Sequence, residues 1–277
     1  MQPSSVDPIE LFGQYMKVTG VPSLKSQPSP DAALRGKAVG LINGSSWISL
    51  WTSWFGRQIL PGVRLVSVGN EGVQLNFMAA HHRGEPTPPP LNIELFVRYA
   101  QDLLRLHPVD AILVTCSTMN RSYPAVREAA APRGVPVVQI DEPMMERAVQ
   151  AGERVLAIAT HGPTVQSTKS LLLETAGRMG RNVVVRCATV EEAFDRLGEG
   201  DIRGHNEIIA RAIRDQATGG RIDVVVLAQL SMAVFAFSYP DREGAFGVPV
   251  LTSAEEGFLR VRQILRERRL AAPGDSP

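Results

Sequence analysis

From Lys37 onward, apolar runs of strand length alternate with longer segments whose apolar residues recur at helical spacing. The runs Ala38–Ile42, Arg64–Val68, Ala111–Thr115 and Val135–Ile140 predict strands, and Leu91–Leu106 and Tyr123–Ala131 predict helices between them. The pattern then repeats. Strands are expected at Val155–Ala159, Val183–Arg186, Val224–Ala228 and Pro249–Thr252, with helices at Thr164–Met179, Gly204–Ala217 and Ala254–Arg268. Strands that are apolar throughout, with no alternation, belong to parallel sheets covered on both faces. Strand–helix alternation implies right-handed crossovers. Gly134 reads as a helix stop, and Asp141-Glu142-Pro143 as a helix entry with a carboxylate cap and a first-turn proline. A division near Pro143 to Glu153 leaves two halves of comparable length.

Residues 1–36 are poorly periodic and form an N-terminal arm. Ile9–Val18 fits a short helix that packs on the body or on a partner, and Val21–Pro30, with three prolines and three serines, is not a core element. Two later stretches break the regularity. Trp47, Trp51 and Trp54 follow the first strand. Phe77 to Pro90, with His81-His82 and four prolines, reads as a long loop of the kind used for lids and binding segments.

The apolar runs end on small polar residues. Ligands bind beyond the carboxyl ends of strands in open parallel sheets, so these ends supply the candidates: Asn43 and Ser45, Gly69 to Gly72, Cys116-Ser117-Thr118, Asp141, Thr160-His161, and Gln229 to Met232. Two of them share an outline. Val114-Thr115-Cys116-Ser117-Thr118-Met119 and Leu227-Ala228-Gln229-Leu230-Ser231-Met232 superpose with Cys116 opposite Gln229. Uncharged hydrogen-bonding groups around one thiol suit a small carboxylate. They do not suit a dinucleotide, because no G-x-G-x-x-G follows a strand and no P-loop occurs.

Composition narrows the classes further. With 29 basic and 28 acidic residues the net charge is +1, so no strong field draws the chain to nucleic acid or a membrane. The basic run Arg260–Arg269 reads as a solvated helix face. Two cysteines, Cys116 and Cys187, make no disulfide framework and point to a reducing, cytoplasmic setting. The scattered histidines form no zinc pattern, and neither a secretory signal nor a membrane-length apolar run is present.

The chain resembles the aspartate/glutamate racemase superfamily, which includes hydantoin racemases, arylmalonate decarboxylases and maleate isomerases. The likeness is carried by Thr115-Cys116-Ser117-Thr118, the run Val135 to Met144, Ala157-Ile158-Ala159-Thr160, Gln229 to Met232, and Gly247 to Ser253. It spans about Lys37 to Arg268. The resemblance implies an α/β fold of two pseudo-symmetric parallel-sheet, Rossmann/flavodoxin-like halves with an interdomain cleft. It implies a last helix that returns to the first half, so that 37–142 with 253–277 form one half and 143–252 the other. It also implies no cofactor, a homodimer or higher homo-oligomer, and a small carboxylate substrate. Racemases of this type use two facing cysteines. Cys116 corresponds to one, but Gln229 stands where the second would be and cannot exchange a proton with a carbon acid. Cys187 lies at the end of a different expected strand and reads as core or near-core.

These readings define an isomerase-type enzyme acting through Cys116, with a one-thiol decarboxylase or lyase and a catalytically inactive ligand-binding protein as competitors. Ser117, Thr118, Thr160 and Ser231 would hold the carboxylate or enolate, Gln229 would orient the substrate, Asn43 and Ser45 would contribute from the first loop, and His161 is a possible acid/base. Each has a plainer reading. Cys116 fits a small buried residue, Ser117 and Thr118 fit helix caps, Asn43 a turn, and Asp141 the cap of the next helix. The tryptophans are expected in packing or a dimer face before an aromatic pocket.

Overall fold

Strands that lack a polar face need cover on both sides, and the fold supplies it twice. The computed structural model describes residues 7–21 and 28–271. The first part of the chain runs α1 (Pro8–Thr19), β1 (Ala38–Ile42), α2 (Ser49–Ile59), β2 (Arg64–Val68), α3 (Glu71–His82), α4 (Pro90–Leu106), β3 (Ala111–Val114), α5 (Tyr123–Ala130), β4 (Val137–Gln139) and α6 (Glu142–Ala151). The second runs β5 (Arg154–Ala159), α7 (Gly162–Arg178), β6 (Val184–Thr189), α8 (Glu191–Gly198), α9 (Ile202–Thr218), β7 (Val224–Leu227), α10 (Phe235–Ser238), α11 (Arg242–Phe246), β8 (Val250–Thr252) and α12 (Ser253–Ala271). Most of the expected segment Val21–Pro30 lies outside the described residues.

The strand order is β2-β1-β3-β4 in one sheet and β6-β5-β7-β8 in the other. Every pairing is parallel. The halves therefore share one topology, with β1 equivalent to β5 and β3 to β7. The central strands β1, β3 and β7 are buried along their full length. One face of the first sheet meets α12, whose Phe258, Val261 and Leu265 pack with Val39, Leu41 and Leu113. The other face meets α4 through Phe96, Ala100 and Leu103. In the second sheet, α6 and α7 cover one face through Met144, Val149, Leu172 and Ala176, and α9 covers the other through Ile209 and Ile213. Leu230 and Ala233 of the second half enter the same cluster as Phe55 and Phe258, joining the halves.

Three segments differ from the sequence reading. The tryptophan stretch is not an interruption but the start of α2, because Thr52, Phe55 and Gly56 fall on one buried helical face with Trp51 and Ile59 packed beside them. The expected long loop from Phe77 to Pro90 is helical to His82. Asn70 caps α3 by accepting from Gly72 N–H at 2.8 Å, and Val73, Phe77 and Ala80 form its buried face. Cys187 lies inside a longer β6 rather than at a strand end, half-buried against the second core. Gly134 does end its helical turn, with φ at 62°.

Phe258 is fully buried at the junction of α12 and the first sheet, whereas Phe12 on α1 is 64% exposed. Phe258→Ala should lower the unfolding free energy by about 3–5 kcal/mol through lost burial and the cavity left behind. Phe12→Ala should change it by less than about 0.5 kcal/mol. Urea unfolding of the two variants beside the parent protein checks both values.

Candidate active site

The carboxyl ends of the strands from both sheets open onto one cavity of about 80 Å³. Gly44 and Ser45 reach it from β1, Thr115 to Thr118 from β3, His161 from β5, and Gln229 to Ser231 from β7. Of the candidates read from the sequence, Ser45, Cys116, Ser117, Thr118, His161, Gln229 and Ser231 line this space. Asn43 and Thr160 do not. Both are fully buried behind the lining. Asn43 donates to Ser67 Oγ at 2.6 Å and accepts from Thr115 Oγ1 at 2.6 Å, tying β1 between its two neighbours.

Cys116 opens the 3-10 turn Ser117–Ser122 after β3. Its Sγ lies 3.1 Å from Thr118 Oγ1. Burial pushes the thiol above its ordinary range. The Thr118 hydroxyl and the N–H groups of Met119 and Thr118 oppose this, and the Asp141 carboxylate adds a smaller push upward. The cysteine is therefore a neutral thiol at neutral pH. Space for it depends on Gly44, where a Cβ would collide with Cys116 Sγ.

Gln229 opens the equivalent turn, Leu230–Val234, after β7. Thr160 N–H and Thr160 Oγ1–H both donate to Gln229 Oε1, at 2.6 and 2.9 Å. A backbone N–H can only donate, so this end of the amide is the oxygen. The Nε2 end has no hydrogen-bond partner among the described residues and is left for the cavity that Gln229 lines. Thr160 thus bonds to Gln229 and does not itself reach the cavity.

Behind Cys116 lies a buried acid. The sequence suggested that Asp141 caps α6, and the structure corrects this: its side chain makes no cap bond. Gln139 takes that role, its Oε1 accepting from the N–H groups of Asp141 and Glu142 at 3.1 and 2.7 Å. The Asp141 carboxyl turns inward, where Ser117 Oγ and Gln139 Nε2 each donate to it at 2.8 Å. Burial raises its pKa to about 7, opposed by Ser117, Gln139 and Ser253. His161, at the start of α7, is held below its ordinary range by burial, with Glu191 and Asp195 opposing, so it is a neutral imidazole at neutral pH. Among the described residues no cluster of three His, Cys, Asp or Glu side chains is placed to hold a metal. No described helix is long and apolar enough to cross a membrane.

The rest of the lining was not singled out from the sequence and is apolar except for Gln74 of α3. Trp47 and Ile48 come from the entry to α2, Val73, Phe77 and Met78 from α3, and Phe194 from α8. For Trp47 this replaces the expected packing role with a cavity wall. Trp51 and Trp54 do pack, around Phe237. The missed signals were the helical spacing of Val73, Phe77 and Ala80 and the true end of β6 at Thr189, which places Phe194 one helical turn beyond a strand end.

Two like-ordered parallel sheets with a thiol at their shared strand-end cleft define a class of two-half α/β protein built for chemistry on a small ligand. The model for the Asp/Glu/hydantoin racemase family matches residues 82–260, and the chain belongs to that family. Solved structures share its fold. A glutamate racemase from Bacillus anthracis aligns with TM-score 0.59 and 18% identity over 87% of this chain and 86% of that one. A glutamate racemase from Francisella tularensis, in complex with D-glutamate, gives 0.61 and 16% over 87% and 85%. An allantoin racemase from Klebsiella pneumoniae gives 0.59 and 16% over 84% and 89%. No curated protein matches the chain significantly.

The Asp141 geometry has a consequence for stability. With a folded pKa of about 7 against 3.8 for the free side chain, the folded chain binds this proton more tightly than the unfolded chain. The contribution is fully present below about pH 4 and is lost as pH rises through about 7, by up to ~4 kcal/mol. Asp141→Asn should remove that slope, since an amide can accept from Gln139 and donate to Ser117 without titrating. Urea unfolding between pH 4 and 8 should show a declining stability in the parent that is flattened in the variant.

Proposed function

We propose that this protein is a cofactor-independent, isomerase-type enzyme whose Cys116 performs proton transfer or nucleophilic chemistry at the carbon next to the carboxylate of a small acid. The observation that carries the reading is the opposition of one thiol and one fixed amide across a shared cleft. In the proton-transfer route Cys116 first gives its thiol proton to solvent or to the neutral His161. The resulting thiolate takes the proton from the carbon while the electron pair moves into the carboxylate as an enolate. The hydroxyls of Thr118 and Ser231 and the Nε2–H groups of Gln229 offer hydrogen bonds to that developing charge, while the Ser117 hydroxyl is committed to Asp141. The proton returns from sulfur to the same face, because Gln229 has none to give to carbon, so this route alone exchanges the proton with retention. Net isomerisation by one thiol takes the nucleophilic route, in which the thiolate adds to an alkene, the bond rotates and the thiolate leaves. Ser45 lies beside this group, and His161, being neutral, can accept a proton.

The protonated state of Cys116 favours a second reading, a one-thiol decarboxylase or other lyase. There the bond to a departing CO2 breaks, its electron pair remains as an enolate, and the S–H proton of Cys116 goes to carbon on one face. Solvent then restores the thiol. A binding protein without turnover is the remaining alternative.

An NMR screen in D2O of 2-substituted acids, malonates and maleate, with the parent protein and Cys116→Ala, tests this. The expected result is deuterium at the carbon next to a carboxylate, or loss of CO2, with at least ~100-fold less in the variant. No reaction with any compound, alongside ligand-induced thermal stabilisation that survives Cys116→Ala, would leave a binding protein.

A further inference from the structure

Among the described residues no Lys, Arg, Asp or Glu lines the cavity. The hydrogen-bonding groups sit on strand ends and suffice for one carboxylate. The opposite contribution, from the entry to α2 and from α3 and α8, is apolar except for the uncharged amide of Gln74. A second charged group on a ligand would be carried into this apolar part without a counter-charge, at a large desolvation cost.

The apolar part is a held surface, not a loose one. Glu71 accepts from the N–H groups of Ser46 and Trp47 at 2.9 and 3.3 Å and from Ser46 Oγ at 2.8 Å, which fixes the Trp47 backbone. The indole N–H donates to Gln74 Oε1 at 3.3 Å. Phe194 meets Trp47 edge-on at 6.4 Å and His161 at 4.4 Å, so an aromatic chain joins the halves at the cavity. The backbone beside Phe194 is anchored too, because Ala193 C=O accepts from Nδ1–H of the buried His205 at 2.6 Å. Trp47 still leaves 41% of its surface open. A wall this well held, uncharged and with the Trp47 indole N–H satisfied by Gln74, presents a mainly apolar surface for a ligand to cover.

We infer that the cavity selects small monocarboxylic acids whose reacting carbon bears an aromatic or branched apolar substituent, and excludes acids with a second charge, with Trp47 and Phe194 as the specificity-determining side chains. The choice of reacting carbon rests on the proposed Cys116 chemistry; the binding preference does not.

Calorimetric titration of the full chain with 2-phenylpropanoate and with 2-methylsuccinate tests this, using the parent protein, Trp47→Ala, Trp47→Phe, Phe194→Ala and Cys116→Ser. The phenyl acid should bind about tenfold or more tightly than the diacid. Each alanine variant should weaken the phenyl acid by about tenfold and leave the diacid unchanged, while Trp47→Phe retains most of the affinity. Preference for the diacid, no binding of either acid, or phenyl-acid affinity unmoved by both alanine variants at unchanged melting temperature would overturn the inference. Following exchange in D2O on the same samples separates the two claims. Trp47-dependent binding without any exchange refutes the Cys116 chemistry and supports the specificity, whereas exchange confined to diacids overturns the specificity and supports the chemistry.

Discussion

Covering both faces of a parallel sheet leaves few places where a polar side chain can meet a ligand. In this chain β1, β3 and β7 are buried throughout, so chemistry is confined to the residues just past their carboxyl ends. The register of the sheets then decides which of those residues are neighbours. Ile42 pairs with Val114, which puts Gly44 beside Cys116, and Ile158 pairs with Leu227, which puts Thr160 beside Gln229. Every feature of the cleft depends on these two adjacencies.

The two halves keep one topology and differ in chemistry in a matched way. Where the residue past β3 is a thiol, its neighbour is a glycine whose missing side chain leaves room for the sulfur. Where the residue past β7 is an amide, its neighbour is a threonine that supplies two donors and fixes which end faces the ligand. The pairing of Thr160 with Gln229 supports a site in which one side transfers the proton and the other receives charge.

Much of this was legible in the sequence because burial on both faces makes strands read as unbroken apolar runs. All eight strands of the two sheets were expected within a few residues, and the overlay of Cys116 on Gln229 matches the equivalence of β3 and β7. Other features were hidden by their composition. The stretch from Trp47 to Trp54 is aromatic enough to mask its helical period, and the histidines and prolines after Phe77 drew attention from the capped helix that precedes them. The Asp141 reading failed for a different reason. Asp-Glu-Pro is a good helix entry, but Gln139, two residues earlier, reaches the free N–H groups first and releases the carboxylate to Ser117. Side-chain competition of that kind is decided by geometry that spacing alone does not carry.

The central claim is that proton transfer occurs on one face only. Its most direct test is chiral chromatography of a single enantiomer of a reactive 2-substituted acid, incubated with the protein in D2O. Deuterium entering with the original configuration retained is the result expected of one thiol opposite an amide. Deuterium appearing in both enantiomers at matching rates would contradict it, because a second proton-transfer group would then be acting on the Gln229 side of the cleft.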